Sequence, residues 1–323
     1  MKEIKEIQEN IARYLTTVVP QVQPASLYDP IRYLMDLPAK RLRPALSIMG
    51  ADLFMGNPAD ALPAAAAVEL FHNFTLMHDD IMDNAPLRRG QKTVHEKWSR
   101  AQAILSGDAL LVLAYKELEK LDRSVQSEVF SLFNKTALEV CEGQQLDMDF
   151  ESRTDVSEEE YLEMIRLKTS VLLASALQMG AIVAGASEED QKHVYDAGIG
   201  FGMSFQLRDD YLDTFGDESF GKKIGGDILA DKKTYLLIRS METAVDQDQA
   251  VLDRFVGSSA YDDATKVAEV RGVMQRLRVD IQTDELAHRY FESGVEALGK
   301  LTVSDDRKRP LISLAEQLLS RKI

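Results

Sequence analysis

The chain has 323 residues, with 53 Asp or Glu against 38 Lys or Arg, for a formal net charge of −15. That balance argues against nucleic acid and against an anionic membrane surface, which are bound through clustered cations, and the excess of acid reads as solubility. A single cysteine, Cys141, excludes an intramolecular disulfide and a multi-cysteine metal site.

Ile4, Ile7, Ile11 and Leu15 recur at helical spacing, and the charges between them argue against a signal-peptide core. Pro44 marks a helix start after Arg43. The run Ala64 to Ala67 predicts a helix that approaches a neighbour closely, and Leu110, Leu113, Ala114 and Leu118 form a second apolar stripe. Ser157 with Glu160, ahead of Leu162 and Ile165, fits a capping box, and Ser187 with Asp190 is a weaker version. Val171 to Ala186 is low in charge but shorter than the roughly 20 residues of a membrane span, so it predicts a buried helix. Gly216 to Gly226 reads as a mobile loop. Strand signals are nearly absent. The expectation is an all-α protein of one domain over residues 1–323, with no transmembrane segment and a cytoplasmic location.

Two acidic clusters stand out. His78-Asp79-Asp80-Ile81-Met82-Asp83 ends one apolar helical stretch, and Asp209-Asp210-Tyr211-Leu212-Asp213 ends another. Residues four apart share a helix face, so Asp79 pairs with Asp83 and Asp209 with Asp213. Crowded carboxylates repel and are costly unless a cation compensates them. Oxygen-only ligands select a hard ion, and Mg²⁺ is commonly held by one or two carboxylates together with phosphate oxygens and water. No Gly-x-x-x-x-Gly-Lys-Ser/Thr loop is present, so this is not a P-loop nucleotide site.

An acidic protein that binds phosphates needs placed cations. Lys40-Arg41-Leu42-Arg43, Arg88-Arg89, Lys168, Lys222-Lys223 and Lys232-Lys233 supply them, and His72 lies seven residues before Asp79 on the same helix face.

The order of these groups resembles the trans-type polyprenyl synthetases, the head-to-tail isoprenyl diphosphate synthases. The clusters resemble that family's two Asp-rich motifs, and Gly143-Gln144-Gln145-Leu146-Asp147 resembles its Gly-Gln-x-x-Asp segment. Ala39 departs from the family's usual Gly before Lys40. The resemblance implies a single large helical bundle around a central cavity and a homodimer. It implies that isopentenyl diphosphate is added to an allylic diphosphate (dimethylallyl, geranyl or farnesyl). Carried over by position, Asp79, Asp83 and Asp209 would bind Mg²⁺, three ions in the family, with Asp80 and Asp213 in support. Arg88, Lys168, one of Lys222 and Lys223, and Lys232 would hold the allylic diphosphate. Lys40, Arg43, His72 and Arg89 would hold isopentenyl diphosphate. Thr169 and Gln206 would turn dipoles toward the allylic cation.

Phe74 and Thr75 lie five and four positions before Asp79. Five helical residues span roughly 7.5 Å. In the family a bulky residue here accompanies short products, so the expectation is a C15 to C20 product, leaning to C20. A long-chain synthase, a terpene cyclase, an HD-type phosphohydrolase and a regulatory subunit are the alternatives. The cyclase would not need Lys40, Arg43 and His72, and such a subunit would usually lose one acidic cluster.

Overall fold

A computed structural model describes residues 4–216, 224–258 and 260–321. The described residues are almost entirely helical and fall into two compact units, one of residues 1–137 and 175–194, the other of residues 138–174 and 195–323. Among the described residues no helix is long and apolar enough to cross a membrane.

The first unit holds α1 (Ile4–Leu15), α2 (Ala25–Asp36), α3 (Leu42–Leu53), α4 (Leu62–Met82), a hairpin of β1 (Leu87–Arg88) and β2 (Gln91–Lys92), α5 (Val94–Lys97) and α6 (Arg100–Leu118). It also takes the first part of α7 (Arg123–Glu151). The stripe on α1 is buried at Ile7, Ile11 and Leu15, and the stripe on α6 is buried throughout. Ala64 to Ala67 are fully buried, and α4 packs along α6 and α3. Glycine permits a close approach in this unit: a Cβ on Gly50 would strike the Leu177 carbonyl, and one on Gly180 the Ser47 carbonyl.

α3 begins at Leu42, before Pro44, because Arg41 takes a left-handed φ of 45° and serves as the cap. The hairpin was not expected from the sequence. Its strands are two residues long, paired Leu87 with Lys92 and Arg88 with Gln91, and its turn residues Arg89 and Gly90 both have positive φ, 53° and 75°. That is the mirror-image turn whose twist suits a two-residue hairpin.

The second unit holds the remainder of α7, α8 (Glu158–Ile165), a π-helical turn (Arg166–Ser170), the start of α9 (Val171–Val183) and most of α10 (Glu188–Phe215). α11 (Gly226–Leu229), α12 (Tyr235–Thr243), α13 (Asp246–Phe255), α14 (Asp263–Arg276), α15 (Val279–Gly299) and α16 (Asp305–Leu319) complete it. The capping box at Ser157 and Glu160 forms as expected, and Ser187 accepts from the Asp190 backbone at 3.1 Å. One core cluster gathers Phe150, Tyr161, Met164, Met203, Leu207 and Leu286; a second gathers Leu236, Leu252, Val270, Val273 and Met274.

α10 is keyed to its neighbours by glycine on two faces. Cβ atoms on Gly198 and Gly202 would strike Ala174 and Ser170, and one on Gly200 would strike the backbone of Tyr290 and Gly294 on α15.

Candidate active site

The first unit carries the first acidic cluster at the C-terminal end of α4, where the Asp83 amide donates to the Asp79 carbonyl at 2.9 Å. The two carboxylates are therefore one turn apart, as their spacing implies, at a helix end whose carbonyls favour a cation. Asp80 points inward and is 1% exposed. The hairpin delivers Arg88 to it: Nε and Nη2 reach Asp80 Oδ1 at 2.8 and 2.7 Å, and Nη2 lies 3.7 Å from Asp79. Burial raises the Asp80 pKa, with Arg88 opposing it. Asp80 Oδ2 is buried without a hydrogen-bond partner among the described residues.

Two turns back on α4, His72 Nε2 meets Arg43 Nη1 at 3.2 Å. A guanidinium only donates, so Nε2 accepts and the ring proton sits on Nδ1. Burial, followed by Arg43, Arg89 and Arg88, holds the His72 pKa well below its ordinary value. A neutral imidazole beside three guanidinium groups is suited to an anion that brings its own charge. Lys40 is exposed at the head of this run. Arg41 serves differently from its neighbours: Nη1 pairs with the buried Glu69 at 2.6 Å and Nη2 donates to the Met35 carbonyl at 2.5 Å. Burial raises the Glu69 pKa, against the pull of Arg41 and Arg43. Glu69 lay outside the sequence reading; its cue is a carboxylate in an otherwise apolar helix, facing α3.

The second unit carries the second acidic cluster in α10. Asp209 pairs with Arg321 Nη2 at 2.8 Å. Asp210 is buried, accepts from Gln206 Nε2 at 2.9 Å, and accepts from the Tyr161 hydroxyl. Burial, then the neighbouring Asp227, pushes Asp210 up to about 7. Thr169 Oγ1 donates to Gln206 Oε1 at 3.1 Å. The order Thr169, Gln206, Asp210, Tyr161 thus fixes which end of the Gln206 amide faces which way. Asp213 accepts from the Asp227 amide at 2.8 Å, anchoring the start of α11.

Lys168 and Thr169 both lie in the π-helical turn, an insertion that turns side chains off the register of the preceding helix and recurs at functional sites. A Cβ on Gly143 would fall under 3.0 Å from the Lys168 backbone nitrogen, so glycine is what lets α7 lie against that turn. One turn on, Asp147 pairs with Lys168 Nζ at 2.5 Å. Lys232 is exposed beyond α11, and it lowers the Asp210 pKa against the effect of burial. Lys222 and Lys223, with most of the expected glycine-rich loop, lie outside the described residues.

The first unit thus gathers Arg43, His72, Arg88, Asp79 and Asp80, and the second gathers Lys168, Thr169, Gln206 and Asp210. Phe74 meets Phe71 at a tilt and His78 edge to face, with centroids at 5.7 and 4.7 Å, and the Thr75 hydroxyl donates to the His72 carbonyl at 2.8 Å. Among the described residues no group of three or more His, Cys, Asp or Glu side chains is placed to hold a metal ion by itself. The donors present, carboxylates one turn apart, fit a hard divalent ion whose shell is completed by phosphate oxygens.

A family model described as polyprenyl synthetase matches residues 24–274. A geranylgeranyl diphosphate synthase of Methanosarcina mazei is 41% identical over 323 residues, spanning 99% of this chain and 97% of its own. A crystal structure of a geranylgeranyl pyrophosphate synthase superposes with a TM-score of 0.95 at 44% identity, covering 100% of each chain. The geranylgeranyl pyrophosphate synthetase of Pyrococcus horikoshii Ot3 superposes with a TM-score of 0.93 at 32% identity, over 98% of this chain and 97% of its own. With the family model and a relative of this identity both spanning most of its length, the chain belongs to the polyprenyl synthetase family.

Proposed function

We propose that the chain, as one polyprenyl synthetase domain over residues 1–323, is a head-to-tail trans-prenyltransferase. It joins isopentenyl diphosphate to an allylic diphosphate and releases a short isoprenyl diphosphate of C15 to C20, with C20 favoured. The observation that carries this reading is the placement of cations at the first acidic cluster: Arg88 Nη2 lies 2.7 Å from Asp80, and two turns back on the same helix Arg43 Nη1 meets His72 Nε2 at 3.2 Å. That is a diphosphate site built beside a divalent-ion site.

Arg43, His72, Arg89 and Lys40 bind isopentenyl diphosphate. Arg88, Lys168, Lys232 and a lysine of the pair Lys222 and Lys223 hold the allylic diphosphate. Asp79, Asp83 and Asp209 are the carboxylates that would hold Mg²⁺, three ions by family likeness. Bound there, Mg²⁺ supplies Lewis-acid stabilisation of the departing diphosphate. As the allylic C–O bond breaks, Thr169 and Gln206 present oxygen dipoles to the positive carbon, and a dry apolar pocket protects it from water. The isopentenyl double bond attacks that carbon, and the released diphosphate takes the proton that restores the alkene.

Phe74 forms the floor of the product pocket, with Thr75 beside it. The protein acts as a cytoplasmic homodimer. Ile104, Leu105 and Val112, which lie on one side of α6 and are 47%, 60% and 59% exposed, are the apolar face available for pairing. The test is incubation with Mg²⁺, isopentenyl diphosphate and each of the dimethylallyl, geranyl and farnesyl diphosphates, with products sized by mass spectrometry. A C15 or C20 ceiling is expected. A ceiling of C30 or more would keep the reaction and remove Phe74 as the floor. No elongation from any primer would remove the reaction itself.

A further inference from the structure

Phe74 does not hold its own position. Its ring meets that of His78, one turn further along α4, edge to face at 4.7 Å between centroids and 65° between planes. On its other side it leans on Phe71, which in turn packs on Phe133 at 5.4 Å. His78 is seated in α6: Nε2 lies 3.1 Å from the Ile104 carbonyl. A carbonyl only accepts, so Nε2 carries the proton.

The seat depends on Gly107. It is buried in the interior of α6, where glycine ordinarily destabilises a helix relative to alanine. A Cβ there would fall under 3.0 Å from both Nε2 and Cδ2 of His78. The gap left by that missing side chain is the space the imidazole fills.

We propose that His78, seated by Gly107 and the Ile104 carbonyl, is a positioning residue for product length. It touches the growing chain only through Phe74, whose ring it holds across the product path. The proposal rests on the reading of Phe74 as the pocket floor.

The test is the product ladder of His78→Ala, Gly107→Ala and Phe74→Ala, and of the first two in the Phe74→Ala background. His78→Ala removes the backing ring. Gly107→Ala keeps the ring but expels it from its seat, so the test survives if His78→Ala fails to fold. Each single change should raise the ratio of product above the wild-type ceiling to product at it by about fivefold, the size expected from losing one aromatic contact. Neither should add length once Phe74 is alanine, because a residue that acts through another has no effect in its absence. A general structural defect would slow every condensation alike and leave the ratio unmoved.

Wild-type ladders from His78→Ala and Gly107→Ala, with longer products from Phe74→Ala, would overturn the relay and leave the floor standing. Additive lengthening in the Phe74→Ala background would also overturn it, since His78 would then line the path directly. An unchanged ladder from Phe74→Ala would remove the floor, and the relay with it.

Discussion

Replacing Arg41 with alanine isolates one buried charge. The Arg41 side chain is 14% exposed and its partner Glu69 4%, with the pair 2.6 Å apart. Removing one member of a buried pair leaves the other uncompensated and costs about 3–5 kcal/mol. Arg43 and Arg89 also attract Glu69, which places the expected loss near the lower bound, about 3 kcal/mol, or about 4 °C in Tm for a chain of this length. The same change should draw Arg43 and Arg89 toward Glu69 and away from an incoming diphosphate, raising the KM for isopentenyl diphosphate by roughly tenfold. Glu69→Gln in the Arg41→Ala background removes the stranded charge and should restore more than half of both losses. Thermal melting and initial-rate kinetics on the two single variants and the double variant read all of this. A loss below about 1 kcal/mol, the size of a surface pair, or a double variant no better than Arg41→Ala, would refute the assignment of Arg41 to structure rather than to substrate.

Burial holds His72 neutral in the folded chain, while the unfolded chain takes up a proton below about pH 6.5. Stability should therefore fall as the pH drops through that value, by about 1.4 kcal/mol per pH unit within the window. His72→Gln should flatten this part of a plot of Tm against pH, and an unchanged slope would count against a neutral buried ring. Gly143→Ala should press on the Lys168 backbone, lowering stability by about 1–3 kcal/mol and kcat by roughly tenfold. The KM for isopentenyl diphosphate should stay near wild type, because Arg43, His72 and Arg89, the residues proposed to bind it, lie in the first unit; a rise in KM alone would contradict this division. Leu105→Glu should shift a dimer toward monomer in sedimentation velocity, and an intact dimer would mean that α6 is not the paired face.

Helices were legible wherever apolar spacing was sustained, as in α1 and α6, and the capping box at Ser157 located a helix start to the residue. The hairpin at 87–92 was not, because two-residue strands are too short to show alternation and its signal was the Arg89-Gly90 turn alone. The π-helical turn at Lys168 is invisible to a search at 3.6 residues per turn, since one extra residue shifts the register without changing composition. Family likeness gave Lys40 and Arg43 a substrate role and left Arg41 without one, and nothing local in the sequence says what Arg41 does instead. The structure supplies the answer in Glu69, 28 residues away, a partner that local pattern does not show. Asp213 likewise reads as one more carboxylate in a motif, whereas in the fold it receives the Asp227 amide and starts α11. The expectation for the glycine-rich loop, including which lysine serves there, falls on residues outside those described.

The glycine contacts along α10 bear on how this chain can diverge. Gly198, Gly200 and Gly202 meet backbone or Cβ atoms on two faces of the helix that carries Asp209 and Asp213, so selection there sees volume before chemistry, and almost any substitution displaces the carboxylates. Phe74 lies in the other unit, on the helix that carries Asp79, packed between Phe71 and His78. The two acidic clusters are thereby exposed to different pressures: the second sits on a helix whose glycines admit little change, whereas the first shares α4 with Phe74, so a change of ring size there falls within five residues of Asp79.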